Sequence, residues 1–438
     1  MFVQKERSSA KCLRHCARRT ELLQPVQAKI GFEFESARWR VNKRPEEVQT
    51  EGLTEEEFRI AKQYKKGHVL FENAFWSAQA DVDENWVSFL ELVTVPFEED
   101  EEGYRQLEEA AVEMETFFNY AFQAPHYTEE NIRIVDCRAF RRFGEIKSPE
   151  ARIELPEDDP NPLLVPQATA GIRLSKLHKL MGDIAAPMED EPESVKKRKL
   201  MGRTYLLGDF DTGGLQKGAA INARYVAEAA DIVLKEVKKK WGKHLSDAFK
   251  GFFSLVVYYL LEGYRGSLSY PKAFIALLAR TDFSRMFSLL PEEEKAFLSA
   301  NGAAYWFEMI RAVLPECQKD FSQPFFNKGV YLSRSEIHRH ILKNLSKEQW
   351  LLELMKGRDL LTERHFPNRW RAYELESLGA MGDKTDTVLG EPAPVIEFRA
   401  GKKHLDAGTA MLYAREMFKT IYALNRGHEY YFGESLEI

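Results

Sequence analysis

Two short segments at opposite ends of the chain place ionisable residues at alternate positions. The first reads Ile-Gly-Phe-Glu33-Phe-Glu35 and the second reads Val-Ile-Glu397-Phe-Arg399. Because side chains alternate between the two faces of a β-strand, each pair would share one face, with the phenylalanines on the other. Carboxylates on a half-buried surface are costly unless a cation neutralises them. The spacing therefore predicts a divalent metal, and Arg399 adds a partner for an anion such as phosphate.

A third acidic position has the same apolar flanks. Glu91 lies in Leu-Glu91-Leu-Val-Thr, and Asp81 and Asp83 precede it by a few residues. Single acids on an exposed sheet face are common, but three strands with this pattern together predict an all-oxygen ligand set. No His or Cys falls in phase with it, which favours Mg²⁺ or Mn²⁺ over zinc. The sequence has neither GxxxxGK[ST] nor GxGxxG after a strand, so a nucleotide would be held by metals and arginine on a sheet.

The elements that must position these residues can be predicted from periodicity. Strands are expected over 28–40, 69–80, 86–95, 132–143, 164–174 and 395–400, and helices over 54–64, 104–122, 226–264 and 406–424. Residues 189–203 are rich in charge and are expected to form a solvated loop. Strands come first, then a long helical region, then one returning strand and a helix. This order predicts an α+β fold whose antiparallel sheet is closed by a strand from the far end of the chain.

Composition sets limits on the class of protein. The chain has 438 residues, 44% of them apolar, and a net charge of −6, so it can bury a large core and presents no broad nucleic-acid surface. Its four cysteines are too few and scattered for a disulfide scaffold. The basic start is followed by no apolar signal region, and no apolar stretch is long enough to span a membrane. We expect a cytoplasmic protein that binds neither membranes nor nucleic acid.

Five motifs in order give the sequence a resemblance to a known superfamily. They are Gly31-Phe-Glu-Phe-Glu35, Trp76 with Asp81, Glu91-Leu-Val-Thr-Val-Pro96, Gln167-Ala-Thr-Ala-Gly171 and Ile396-Glu-Phe-Arg399. Together they resemble the carboxylate–amine ligases, the fold group of glutamine synthetase and glutamate–cysteine ligase, and most closely its amidoligase branch. The resemblance covers roughly residues 28–175 and 390–425. It implies a basic flexible tail over 1–28 and one catalytic domain over 29–438, with a helical insertion at about 176–390.

The resemblance also implies a reaction and its cofactors. In such enzymes Mg²⁺ or Mn²⁺ bridges ATP phosphates to acids on an antiparallel sheet. The γ-phosphoryl group passes to a substrate carboxylate, and an amine then displaces phosphate to form an amide, which is a peptide or isopeptide bond. The substrates would be small-molecule or peptide carboxylates and amines, and the oligomeric state stays open.

The roles implied for individual residues fall into three groups. Metal ligands would be Glu33, Glu35, Glu91 and Glu397. Catalytic residues would be Arg399, Asp81 and Glu35. Arg399 would hold the transferring phosphoryl group. Asp81, or Asp83 in its place, would bind metal or orient the amine. Nucleotide or substrate contacts would come from Gln167, Arg399, Arg280 and Lys272, although exposed charge on a helix is an equal alternative for the last two.

Other functions remain open at this stage. A phosphotransferase on the same fold would stop at a phosphorylated product. The basic tail joined to the first strand through Gln24-Pro-Val-Gln-Ala-Lys29 resembles the junction of some bacterial polymorphic toxins. This favours an alternative in which the chain is exported as an effector without a signal peptide and modifies a host or competitor molecule by the same chemistry. A binding protein without activity is the third alternative. The presence of Glu33, Glu35, Glu91, Glu397 and Arg399 argues against it, because a site that had lost its activity would be expected to lose some of these costly charges.

Overall fold

The computed structural model describes most of the two ends of the chain and parts of its middle. The described residues are 26–43, 48, 52–82, 87–122, 132–133, 144–156, 161–206, 215–265, 277–279, 281, 283–300, 347–354, 386–388, 391–399 and 404–430. Asp83, Lys272, Arg280 and residues 1–25 of the predicted tail lie outside them. The predictions made for those positions therefore stay predictions.

Short and long strands alternate with helices along the described chain. The strands are β1 (Val26–Gln27), β2 (Lys29–Asn42), β3 (His68–Glu72), β4 (Trp76–Val82), β5 (Ser88–Thr94), β6 (Phe97–Glu98), β7 (Ile132–Arg133), β8 (Glu145–Ile146), β9 (Arg152–Glu154), β10 (Leu164–Gly171), β11 (Leu277–Ala279), β12 (Asp386–Val388), β13 (Glu391–Ala393) and β14 (Val395–Arg399). The helices are α1 (Glu55–Ala61), α2 (Glu101–Phe122), α3 (Leu177–Ile184), α4 (Glu193–Leu206), α5 (Leu215–Trp241), α6 (Asp247–Arg265), α7 (Phe283–Ser288), α8 (Lys347–Leu354) and α9 (Ala407–Arg426).

The main sheet is antiparallel at every pairing between described strands. Its strand order is β11-β14-β10-β2-β5-β4-β3-β8, with β6, β7 and β9 added beside β2. β14, from the far end of the chain, lies between β11 and β10. The α+β class and the returning strand are therefore confirmed, and the long strand β2 lies at the centre of the sheet.

One face of this sheet is the hydrophobic core. Phe32 and Phe34 of β2 and Leu90 and Leu92 of β5 are fully buried on it. Helices α2 and α9 cover this face, and the ring of Phe117 in α2 lies 5.9 Å from that of Trp76. At about 25 cal/mol per Å², such aromatic burial is the main stabilisation of the fold. Apolar and polar residues alternate along β2 because one of its sides is buried in this core. Its other side is therefore available for polar residues.

The position of α9 is fixed at both ends. Asp406 caps its first turn by accepting a hydrogen bond from the Thr409 amide at 3.0 Å. Gly427 ends it with φ +75°, a conformation that glycine adopts without strain. In the last turn, the buried amide of Asn425 donates to Glu99 at 2.8 Å and to the Gly171 carbonyl at 2.9 Å. The helix is thereby tied to the end of β10, next to the strands that carry the acids.

Helices α3 to α6 pack on one another and form the described part of the middle region. The region predicted to be helical over 226–264 forms two helices, because α5 ends at Trp241, Gly242 has φ +66° and α6 begins at Asp247. The predicted loop over residues 189–203 is wrong, because α4 begins at Glu193. One side of α4 is buried although its sequence is rich in charge. Lys199 on that side bonds Glu191, and Gly202 lies against the backbone of Asp183 in α3. No helix among the described residues is long and apolar enough to cross a membrane.

Candidate functional site

The polar face of the main sheet brings the predicted residues together by strand register. In β2, Glu33 lies opposite Gln167 of β10, and Gln167 lies opposite Arg399 of β14. These three residues form a row across three neighbouring strands. Gln167 is only 9% exposed, so its amide is a buried polar group between an acid and a guanidinium. We call the side of the sheet that bears this row the acidic face.

The next row holds the second pair of acids. Glu35 of β2 lies opposite Glu91 of β5, and Glu91 lies opposite Gln79 of β4. Asp81, two residues beyond Gln79, is on the same face because alternate residues of a strand share a side. Residues directly opposite each other on antiparallel strands have side chains within about 5 Å. The acidic face therefore holds Glu33, Glu35, Glu91 and Asp81 within one continuous patch.

Glu397 and Arg399 form the edge of this patch on β14. Glu397 lies opposite Thr169 of β10, and its side chain is 2% exposed. The Arg399 guanidinium donates to Glu397 Oε1 at 2.5 Å and remains 25% exposed. Arginine thus holds a buried carboxylate with one nitrogen while the rest of its planar fork can reach an anion.

Burial and mutual repulsion oppose ionisation of all the carboxylates of the acidic face at once. Burial, followed by the charges of Glu33 and Asp81, raises the pKa of Glu91 to about 8. Burial and the charge of Asp81 also raise the pKa of Glu35. Both shifts have the same physical origin, carboxylates held close together away from water. A cation placed among them would lower both pKa values.

Lys66 is a resident cation that sequence reasoning missed. It lies in the turn before β3, and its ammonium bonds the Asp81 carboxylate. Partial desolvation lowers the pKa of Lys66, but the hydrogen bond and charge of Asp81, with the charges of Glu91 and Glu33, raise it overall. The available signal was the hairpin of β3 and β4, in which the Gly67 amide donates to the Ala80 carbonyl at 2.8 Å. That pairing places the turn beside Asp81.

The acids fit a hard cation by their chemistry, although the structure does not gather them around one point. Among the residues that the structure describes, no group of three His, Cys, Asp or Glu side chains is arranged to hold a metal ion. The donors are nonetheless all carboxylate oxygens, the ligands that Mg²⁺ prefers. A metal bound between Glu35 and Glu91 would also lower their pKa values, which burial and the charges of Asp81 and Glu33 raise. Glu33, Glu35, Glu91 and Glu397 therefore stay predicted ligands.

A serine–histidine–aspartate contact in the helical region offers no competing site. His178 lies 3.1 Å from the Ser254 hydroxyl and 4.0 Å from Asp231. Ser254 is fully buried in α6 and donates its proton to the Lys250 carbonyl at 2.8 Å. Burial lowers the pKa of His178 to about 4, and Asp231 pairs with Lys250 at 2.5 Å. The serine cannot reach a substrate, so this contact is structural.

Comparisons with known proteins add no relative. Neither protein-family models nor curated proteins nor solved structures give a match to this chain. The acidic face is therefore the feature from which a function can be proposed.

Proposed function

We propose that this protein is an ATP- and Mg²⁺-dependent ligase that joins a carboxylate to an amine through an acyl phosphate. The observation that supports it most is the acidic face itself: Glu33, Glu35, Glu91, Glu397 and Arg399 lie on one side of an antiparallel sheet. Strands from both ends of the chain build this face. The same arrangement is the reason to propose the glutamine synthetase and glutamate–cysteine ligase type of fold.

The chemistry needs little more than positioning and charge neutralisation. A carboxylate is a poor electrophile, and phosphorylation gives its carbon a good leaving group. Glu33, Glu35, Glu91 and Glu397 would hold Mg²⁺, and the ion would neutralise the charge of the ATP phosphates. The free part of the Arg399 guanidinium would contact the transferring phosphoryl group, where charge develops. The amide of Gln167, between Glu33 and Arg399, can donate to a phosphate or accept from the nucleotide.

Hydroxylamine trapping tests the intermediate. The protein is incubated with ATP, Mg²⁺, hydroxylamine and a panel of amino acids and dicarboxylic acids, and hydroxamate is measured. We expect hydroxamate that requires ATP and Mg²⁺ and that Glu35→Gln abolishes. Glu145→Gln, the same substitution on the exposed edge strand β8, is the matched control and should retain activity.

Two results would contradict the proposed ligase. ADP formation with a phosphorylated product that is stable to hydroxylamine would replace the ligase with a phosphotransferase. Absence of hydroxamate across the panel in a protein that binds Mg²⁺–ATP would contradict the acyl-phosphate step.

A further inference from the structure

The C-terminal end of α5 carries a dense group of exposed lysines. Residues 235–244 contain five lysines and a single acid. Lys239 lies 3.9 Å from Glu236, and the Lys240 ammonium lies 4.8 Å from the centre of the Trp241 ring. The other three lysines form no ion pair with another described residue. We call the five residues the lysine cluster; they are Lys235, Lys238, Lys239, Lys240 and Lys243.

The helix itself has no need of so many cations. One or two basic residues in the last turn stabilise a helix through its dipole. Lys235 and Lys239 are four residues apart, a spacing at which like charges repel along a helix. The buried Glu294, near this end of α5, bonds the Ser246 hydroxyl at 2.9 Å instead of a lysine. The lysine cluster is therefore a positive surface on a chain whose net charge is −6.

The outer side of helix α2 carries the opposite charge. The helix contains six acids and one base, Arg105, which pairs with Glu102 and Glu109. Glu101 and Glu108 are exposed and form no ion pair with another described residue. We call this exposed side of α2, with Glu101, Glu102, Glu108 and Glu109, the α2 surface.

Each of the two surfaces has one exposed aliphatic residue among its charges. Val112 of α2 is 55% exposed, the highest value among the large apolar residues of the described chain, and Glu108 and Glu109 lie one turn before it. Ile232 of α5 is 48% exposed, and lysines of the cluster lie one and two turns after it. Residues at these spacings share a side of a helix. The two surfaces thus have the same plan with opposite charge.

We propose that the lysine cluster binds the α2 surface of a second copy of this chain, with Ile232 of one copy against Val112 of the other. Within one chain α2 packs on α9, and α5 packs on α3 and α6, so both outer sides face away from these neighbours. Opposite charges across a contact speed encounter and select the partner, while burial of the two aliphatic side chains adds affinity. The contact includes no residue of the acidic face, so it is independent of the proposed ligase.

Charge reversal followed by mixing tests this contact. One variant combines Lys235→Glu with Lys239→Glu, and the other combines Glu108→Lys with Glu109→Lys. All four positions are exposed, so both variants should fold, which circular dichroism checks. Sedimentation velocity then measures the mass of the full chain in about 0.01 M and about 1 M salt, where the screening length falls from about 30 Å to about 3 Å.

We expect wild type to exceed the monomer mass in dilute salt and to return to it in concentrated salt. Each variant alone should be monomeric, because like charges would then face each other across the contact. An equal mixture of the two should associate, although both keep a net negative charge. Lys62→Glu with Lys65→Glu, the same charge change elsewhere on the surface, is the matched control and should associate as wild type does.

A wild type that is monomeric in dilute salt would overturn the proposal and leave the lysine cluster to a different anionic partner. So would association that persists in either variant alone or in concentrated salt. A mixture of the two variants that stays monomeric would show that the two surfaces do not meet. Loss of association in the Lys62 and Lys65 control would show an effect of net charge and would overturn the proposal as well.

Discussion

The pKa of Glu91 links the stability of the metal-free protein to pH in a direction that can be measured. In the folded chain this pKa is raised from 4.5 to about 8, because the side chain is buried and lies near Glu33 and Asp81. The folded state therefore binds the proton more tightly than the unfolded state. The stability contributed by this proton is fully present below pH 4.5, and it is lost as pH rises towards 8.

The size of the effect follows from the same pKa values. A tenfold difference in proton affinity corresponds to about 1.4 kcal/mol. A rise from 4.5 to about 8 therefore corresponds to about 5 kcal/mol of unfolding free energy lost across that range. In Glu91→Gln the uncharged amide keeps the shape of the side chain and does not titrate. The variant should gain about 3 kcal/mol on wild type between pH 5.5 and pH 8.5.

The assay is urea unfolding in EDTA at several pH values for wild type, Glu91→Gln and the edge-strand control Glu145→Gln. Comparison with wild type at each pH removes the contribution of other titrating groups. The control should follow wild type throughout. A Glu91→Gln variant that parallels wild type, or that loses stability relative to it at pH 8.5, would show that the pKa of Glu91 is not raised in the folded protein.

Three further predictions concern the acidic face and its support. Arg399→Met should lower the unfolding free energy by about 3 kcal/mol, since it removes the cation beside the buried Glu397, and added Glu397→Gln should recover part of this loss in a double-mutant cycle. Asn425→Ala should cost about 2 kcal/mol in urea unfolding, because it removes buried hydrogen bonds to Glu99 and Gly171, whereas Glu145→Gln should cost nothing measurable. Mg²⁺ binding at pH 7 should release about one proton in wild type and less in Glu91→Gln, as measured by calorimetry in buffers of different ionisation enthalpy. Equal proton release in both proteins would contradict the role of Glu91 as a ligand.

The strands of the acidic face were predictable because burial on one side imposes a two-residue period. Phe32 and Phe34 point into the core, so the positions of Glu33 and Glu35 on the other side follow directly. The return of β14 was predictable from the order of elements. Alternation does not specify register, however, so the cross-strand pairing of Glu35 with Glu91 became visible only in the structure.

Features that depend on tertiary contacts were not predictable. Lys66 is one of two adjacent lysines in a turn, and nothing local distinguishes it from Lys65 until the hairpin places it beside Asp81. The helix α4 could not be predicted from the sequence for a similar reason. Its charged sequence indicates solvent exposure, whereas Lys199 is buried through its bond with Glu191 and Gly202 permits close packing against α3.

The proposed function requires that the acidic face binds a nucleotide through metal. This requirement is tested by calorimetric titration of ATP, with and without Mg²⁺, into wild type, Glu35→Gln and Glu145→Gln. We predict binding that requires Mg²⁺, is lost in Glu35→Gln and is retained in Glu145→Gln. Absence of ATP binding to wild type with Mg²⁺ or Mn²⁺, or equal binding by Glu35→Gln, would contradict the claim.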